Sequence, residues 1–251
     1  MKKANWISIL FCVLLVLSLV NLPLQAQNLD NVKLFQSYFY DTPITKVIYG
    51  EGGLEYGSYD GWSATRIGVQ GGYPYNQKFE IGADIDYLSI SPDEGDGESG
   101  LSDLAIFGRY LLKTDKKNSF SAGGMLTLPI GSKDIGQGAL DFGAYGAMRH
   151  LLENGMIVTG TAALIFDETK WGDESDRDNY LRLGGGVIYP MDPKTAIVGE
   201  LVMQTEGDYM MLSGGVDYKM GDGTLRGGIG LGLDDGAPDF TFIAKYAITL
   251  K

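Results

Sequence analysis

The chain has 251 residues, a formal net charge of −12 and a single cysteine, Cys12. The acidic balance excludes nucleic-acid binding, which needs a basic face, and a polybasic membrane-surface protein. Its 37 glycines are roughly twice the usual share of about 7%, which disfavours helices and suits a curved sheet whose strands approach closely.

The first residues predict export. Lys2 and Lys3 precede an apolar run over 7–20 and a small-residue cleavage signature at 24–26, the order found in secretory signal peptides. A retained anchor would need roughly 20 apolar residues. We therefore predict a cleaved signal peptide over 1–26, which removes the only thiol, and no transmembrane helix after it.

From about residue 47 onward, apolar and polar residues alternate in segments separated by turns. In the segment 77–90, Glu80 and Asp84 fall on one face while Ile81 and Ile85 fall on the other, a period of two that indicates a strand. Membrane-spanning strands need about 9–11 residues, whereas strands of soluble proteins peak near 5–6. Twelve segments of sufficient length are predicted: 47–58, 62–73, 77–90, 101–113, 118–130, 138–151, 155–167, 179–190, 194–205, 208–219, 223–234 and 239–250. The predicted fold is thus all-β, an antiparallel up-and-down transmembrane barrel of about twelve strands over 47–251.

The predicted connections alternate in length. Every second one is compact, and the longer ones lie at 91–100, 130–138 and 167–178, the first and last of them acidic. Short turns on one rim and long loops on the other are typical of outer-membrane barrels. An even number of strands places both chain ends on the periplasmic rim and the acidic loops outside. Residues 27–46, which include four aromatic residues, either plug the barrel or extend its first strand.

The alternation also predicts which side chains line the lumen. A lysine or arginine on the lipid-facing side costs roughly 2–4 kcal/mol at the membrane midplane, and a one-residue slip would reverse every side chain. The charged positions are therefore assigned to the interior, where opposite charges can pair across a narrow lumen. The lumen-lining candidates are Arg66, Glu80, Asp84, Asp86, Asp103, Arg109, Asp141, Arg149, Arg182, Glu200, Asp217, Arg226 and Lys245.

The acidic candidates on two neighbouring strands allow two interpretations. Glu80, Asp84 and Asp86 together with Asp103 form a cation-selective constriction, or they are neutralised by arginines on adjacent strands. The sequence leaves both open.

No pattern of catalytic or cofactor-binding residues is recognisable. The only histidine, His150, has no serine and acid in a hydrolase arrangement, and the acidic runs at 93–98 and 173–178 lack the ligand spacing of calcium loops. The glycines at 184–186 sit inside a strand pattern with no helix after them, so they do not form a phosphate-binding loop. The sequence predicts no enzyme, no metal site and no cofactor.

Residues 100–151 carry a pattern seen in a known family. GLSDL and GRYLL open this stretch, LTLPIGS follows over 126–132, and GALDFG begins at Gly138. The pattern resembles the outer-membrane transporter family of the MetA-pathway of phenol degradation, with the strongest match over about fifty residues and similar strand spacing beyond. This resemblance implies a transporter-like barrel for small aromatic or apolar compounds, with Asp103, Arg109, Thr127 and Pro129 at positions of the family pattern. The chain departs from many barrels at its end, 247–251, because it lacks the final aromatic residue that the barrel-assembly machinery recognises.

Two functions are compatible with these observations. Twelve strands lie between eight, where side chains fill the interior, and sixteen, where an aqueous channel opens. We therefore expect a passive channel or transporter for small molecules with a narrow or partly plugged lumen. The alternative is a structural or adhesive outer-membrane barrel whose acidic loops bind a partner. The expected partners are outer-membrane lipid, a small solute and the barrel-assembly machinery.

Overall fold

A computed structural model describes residues 32–171 and 174–250. The signal peptide predicted over 1–26 lies outside these residues. Within the described ranges there is no helix of the length and apolar character needed to cross a membrane.

The described residues form one antiparallel sheet that closes on itself. Strand β2 pairs with both β1 and β3, and β1 pairs with the last strand, so no edge is left open. The strands are β1 (Ile48–Tyr59), β2 (Trp62–Pro74), β3 (Phe79–Pro92), β4 (Glu98–Leu101), β5 (Leu104–Thr114), β6 (Asn118–Leu128), β7 (Asp141–Leu151), β8 (Ile157–Trp171), β9 (Glu174–Pro190), β10 (Thr195–Gln204), β11 (Met210–Met220), β12 (Gly223–Gly232) and β13 (Phe240–Leu250).

Strands β4 and β5 share one position in the ring. β4 pairs with the far end of β3 at Tyr87–Ile90, and β5 pairs with its beginning at Phe79–Asp84. The barrel therefore has twelve strand positions, which confirms the predicted fold. The predicted segment 101–113 is interrupted at residues 102 and 103.

The closing pair forms without a terminal aromatic residue. β1 and β13 are in register from Ile48 opposite Leu250 to Ser58 opposite Phe240. Backbone hydrogen bonds, rather than any one side chain at the end of the chain, hold this pair together.

The two rims differ in their connections. The short-turn rim carries the connections 75–78, 115–117, 152–156, 191–194 and 221–222, and the long-loop rim carries the others. Two predicted loops proved shorter. The predicted loop 91–100 is reduced to residues 93–97, because β3 extends to Pro92 and β4 begins at Glu98. The predicted loop 167–178 is largely a continuation of β8 and β9, which pair there from Asp167 opposite Asp178 onward. Polar side chains did not prevent pairing there, because a hairpin above the rim needs no apolar face.

The outward face of the barrel is apolar. Ile67 and Val69 are 57% and 61% exposed, and Ile81 is 42% exposed although its neighbour Glu80 is only 2% exposed. The predicted alternation is thus confirmed in this part of the wall. Similar exposed side chains surround the ring, including Tyr87, Leu112, Phe142, Leu181, Ile229 and Phe242. So large an apolar surface is typical of contact with lipid.

The inward face carries apolar residues as well as the charged ones. Val198 and Ala196 on β10, Ile188 on β9 and Ile243 on β13 are fully buried inside the ring. They form one apolar cluster with Val32, Leu34 and Phe35 from the beginning of the described chain, and Ile157. Apolar residues are tolerated on this face because the chain itself, rather than water, covers them.

Candidate functional site

Residues 32–45, called here the inner segment, lie inside the barrel and contain no strand. Gln36 shows how this segment is held. Its backbone N–H donates to Glu200 on β10 at 2.9 Å and its side-chain amide donates to Ser213 on β11 at 2.9 Å. Its carbonyl accepts from Arg182 on β9 at 3.1 Å. The inner segment is therefore fixed by polar side chains that point inward from the wall.

Asp41 is the main anionic contact of the inner segment. Its side chain is fully buried, it is ion-paired with Arg149 on β7, and its Oδ1 accepts from Arg149 Nε at 2.7 Å. Its carbonyl oxygen accepts from Arg109 Nη1 at 2.8 Å and from Ser121 at 3.2 Å. Burial by itself would raise the pKa of Asp41, but the charge and hydrogen bonds of Arg149 lower it below its ordinary value. Asp41 therefore stays ionised at neutral pH.

Glu80 on β3 holds the end of the same segment. It is ion-paired with Arg109 on β5, and both side chains are 2% exposed. Tyr49 donates at 2.8 Å to Oε1, the same oxygen that pairs with Arg109. The other oxygen, Oε2, accepts from the backbone N–H and the hydroxyl of Thr45, both at 2.9 Å. The carboxylate of Glu80 therefore connects the inner segment, through Thr45, to Arg109 and Tyr49 of the wall.

Arg226 on β12 makes a second buried charge network. Its Nη1 lies 2.7 Å from Glu51 on β1 and its Nε lies 3.0 Å from Asp217 on β11. Its third nitrogen donates to the carbonyl of Lys33, and the guanidinium lies 4.9 Å from the centre of the Phe35 ring. One arginine thus joins three parts of the wall to the inner segment.

Glycines in the wall make room for the apolar side chains of the inner segment. A Cβ atom on Gly215 would lie 2.6 Å from the ring of Phe35, and one on Gly186 would lie 2.9 Å from Leu34. These distances are shorter than a normal carbon–carbon contact. Part of the glycine excess therefore reflects close packing against the inner segment, besides the sheet curvature inferred from composition.

The sequence-predicted lumen residues divide into three groups. Glu80, Arg109, Arg149, Arg182, Glu200, Asp217 and Arg226 are brought together around the inner segment, directly or through one another. Arg66, Asp84, Asp86 and Lys245 lie nearer the long-loop rim and border a cavity. Asp103 and Asp141 belong to neither group, and their carboxylates accept hydrogen bonds from backbone N–H groups of a loop and of a strand. Whether any of them contacts a solute stays a prediction.

Asp103 fixes the connection between β6 and β7. Its two oxygens accept from the backbone N–H groups of Gly131 at 2.7 Å and Gln137 at 2.8 Å. Asp141 accepts from the backbone N–H of Glu168 at 2.9 Å. The carboxylate of Asp103 is therefore used in holding this loop, and a constriction of Asp103 with the carboxylates of β3 stays a prediction.

Two cavities lie on opposite sides of the inner segment. The loop-side cavity is about 400 Å³ and reaches residues near the long-loop rim such as Tyr59 and Pro238. The turn-side cavity is about 260 Å³ and is bordered by Pro193 and Asp222 of the short-turn rim. Eight aromatic side chains line the loop-side cavity: Phe35, Tyr38, Phe39, Tyr40, Tyr59, Phe107, Tyr180 and Tyr209. The inner segment therefore separates the two cavities.

Lys33 introduces a pH dependence into the docking of the inner segment. Its ammonium nitrogen is buried without a hydrogen-bond partner and lies 5.0 Å from the centre of the Tyr49 ring. Burial lowers its pKa from 10.5 to about 7, aided by the charges of Arg109 and Arg149 and opposed by those of Glu80 and Asp41.

The pH prediction follows from the sign of this shift. Between pH 7 and 10.5 the unfolded chain binds the proton of Lys33 and the folded chain does not, so stability rises with pH by up to about 1.4 kcal/mol per unit. Below about pH 7 this gain is absent, because the folded protein must carry the buried charge. Unfolding measured at pH 7, 8 and 9 should show the rise in the wild type and a flatter profile in Lys33→Met. Parallel profiles for the two proteins would contradict it.

The remaining candidates for chemistry have ordinary structural contacts. His150 Nδ1 lies 2.8 Å from the side-chain oxygen of Asn118 on the neighbouring strand. Within residues 32–171 and 174–250 no group of three or more acidic, histidine or cysteine side chains is arranged to hold a metal. Gly184–Gly186 lie within β9, as the strand pattern indicated.

Sequence reasoning missed the residues of the inner segment that bind the wall. Nothing in the sequence marks Asp41, Lys33 or Gln36 as a binding residue. The four aromatic residues at 35 and 38–40 are the indication in the sequence that this segment needs an apolar environment. Because the partners of Asp41 are 68 and 108 positions away, no local spacing could reveal them.

No protein-family model and no curated protein matches this sequence. Solved structures do match its fold. The COG4313 outer membrane channel from Pseudomonas putida F1 has a TM-score of 0.66 at 14% identity, covering 84% of this chain and 98% of that one.

Two porins are similar at greater distance. The NanC porin has a TM-score of 0.54 at 12% identity, covering 81% of this chain and 99% of that chain. The KdgM porin in complex with disordered oligogalacturonate has the same TM-score, identity and coverage. At such low identity these likenesses show the fold alone, a barrel of the kind found in outer-membrane channels. They do not confirm the resemblance to the phenol-degradation family, which stays a prediction.

Proposed function

We propose that this chain is an outer-membrane channel for small aromatic or apolar molecules, in which the inner segment restricts passage. The observation that carries the proposal is the loop-side cavity. It is lined by eight aromatic side chains and lies within the ring, next to the inner segment. Its volume falls in the range of about 300–1,000 Å³ that is usual for small-molecule sites, and charged side chains border it besides the aromatic rings.

Outer-membrane location is part of the proposal. It is supported by the apolar outward face, by the fold shared with outer-membrane channels and by the predicted signal peptide. A water-soluble protein would not expose so many large apolar side chains around its whole circumference. On this basis the short-turn rim faces the periplasm and the long-loop rim faces the cell exterior.

Low conductance is expected, because the inner segment occupies the lumen and buried polar and ionic contacts hold it there. For a solute to cross, the inner segment must shift or leave the lumen. The resting channel is therefore narrower than the ring of twelve strands alone would make it.

Planar-bilayer recording tests the proposed function. The purified full-length mature protein should produce small current steps, and adding 2-phenylethanol on the long-loop side should reduce the current by occupying the aromatic cavity. Protein denatured by boiling in detergent serves as the control. Absence of current steps from protein that migrates as a folded barrel on unheated gels would refute the channel function.

A further inference from the structure

The loop-side cavity contains a carboxylate without a partner. Asp84 on β3 borders this cavity, and within the described part of the chain no hydrogen bond or ion pair joins its carboxylate to another side chain. Arg66 and Lys245 are the cations that act on it electrostatically. Each already holds another acid, since Arg66 lies 3.1 Å from Asp86 and Lys245 lies 3.6 Å from Glu51.

The other charges bordering the cavity do not neutralise Asp84. Glu55 adds a further carboxylate, and it lies opposite Arg66 in the strand register. Arg182 belongs to β9, five strand positions around the ring from β3, which carries Asp84. It is engaged by the carbonyl of Gln36 at 3.1 Å and lies 5.5 Å from the centre of the Tyr40 ring. The wall formed by β1 to β3 therefore carries negative charge in excess.

The surrounding side chains suit a positively charged aromatic molecule. Tyr59, Tyr209, Tyr180 and Phe107 border the same cavity, and the faces of aromatic rings attract cations. A neutral aromatic compound would use the rings only, and an anion would be repelled by Asp84 and Glu55. A protonated amine attached to a ring uses both features, because a carboxylate in a partly desolvated site binds a charged donor strongly.

We infer that the loop-side cavity binds a small aromatic amine in its protonated form, with Asp84 as the counter-ion. This inference rests on the proposed function, since it names the class of solute that the channel would accept. A pocket without such a counter-ion would bind aromatic molecules without preferring the protonated amine.

Calorimetric titration of the full-length mature barrel in detergent tests the inference. Three probes of similar size are compared: 2-phenylethylammonium, 2-phenylethanol and 3-phenylpropionate. The wild type should bind the amine at least about tenfold more tightly than the alcohol, and the acid most weakly. Asp84→Asn should remove the preference for the amine while leaving the affinity for the alcohol within about twofold.

A matched control separates a local effect of Asp84 from a general effect of charge. Asp96→Asn removes a carboxylate from the exposed connection between β3 and β4 and should keep the full preference for the amine. Equal binding of amine and alcohol by the wild type, or the same loss in both variants, would overturn the inference. Current steps without amine preference reject only the binding site, whereas absence of current steps rejects the proposed channel itself.

Discussion

Asp41→Asn is expected to raise the single-channel conductance several-fold and to lower the free energy of unfolding by about 3–5 kcal/mol. Removing one partner of a buried ion pair leaves the other charge uncompensated in a medium of low dielectric, at a cost of that size. Here the charge left behind is the guanidinium of Arg149, whose side chain is 7% exposed. Asparagine can still accept a hydrogen bond, but it carries no charge to balance the arginine.

The effect should fall on the inner segment rather than on the wall. The twelve strand positions are joined by backbone hydrogen bonds that do not involve Asp41. The variant should therefore still migrate as a folded barrel on unheated gels while its lumen opens for longer periods. Planar-bilayer recording and denaturant unfolding measure the two effects.

An exposed ion pair supplies the control for Asp41→Asn. Lys117 lies 3.4 Å from Glu153 on the short-turn rim, with side chains 53% and 92% exposed. Lys117→Gln should change stability by less than about 1 kcal/mol, because solvent screens such pairs, and it should not change conductance. Unchanged conductance in Asp41→Asn would show that this ion pair does not keep the inner segment in place.

Arg226→Met is expected to destabilise the protein at least as strongly. Arg226 is 2% exposed and is the shared cation of Glu51 and Asp217, both of which are also buried. The substitution removes the positive charge that neutralises these two carboxylates and the hydrogen bond to the carbonyl of Lys33. The free energy of unfolding should fall by about 3–5 kcal/mol or more. Denaturant unfolding of the purified barrel measures the loss.

A second substitution distinguishes charge imbalance from lost packing. Asp217→Asn placed on the Arg226→Met background removes one of the two uncompensated carboxylates. The double variant should therefore be more stable than Arg226→Met alone, although Asp217→Asn by itself should destabilise the wild type. If the two losses simply add, the network is not coupled through charge and this explanation of its role is wrong.

The resemblance in residues 100–151 and the fold comparison address different questions. The pattern around Asp103 and Arg109 suggested a family. In the structure, Asp103 supports a loop and Arg109 binds both Glu80 and the inner segment. Both sets of contacts are structural, and neither identifies a solute. The substrate class is therefore better approached through Asp84 and the aromatic side chains of the loop-side cavity.

The alternation of residues along the chain is enough to predict the wall of this protein. Side chains in a strand alternate between two faces, and a charged residue is excluded from lipid, so the order of residues such as Glu80, Ile81 and Asp84 was enough to place strands and assign their sides. The lengths of the hairpins were less accessible. Polar residues at 167–178 suggested a loop, whereas backbone pairing continues there because solvent accepts polar side chains on both faces of a projecting hairpin.

What fills the lumen, and which charged side chains pair there, depends on how the folded chain brings distant residues together. Asp41 meets Arg149, and Lys33 meets Arg226, across more than one hundred positions of sequence, so their pairing depends on closure of the ring and on strand register. The same closure brings Lys245 to Glu51, while the β2–β3 hairpin brings Arg66 to Asp86, so that Asp84 has no ion-pair partner among the described residues. Local alternation sets the side on which a residue lies, but its partners across the lumen are set by the geometry of the closed barrel.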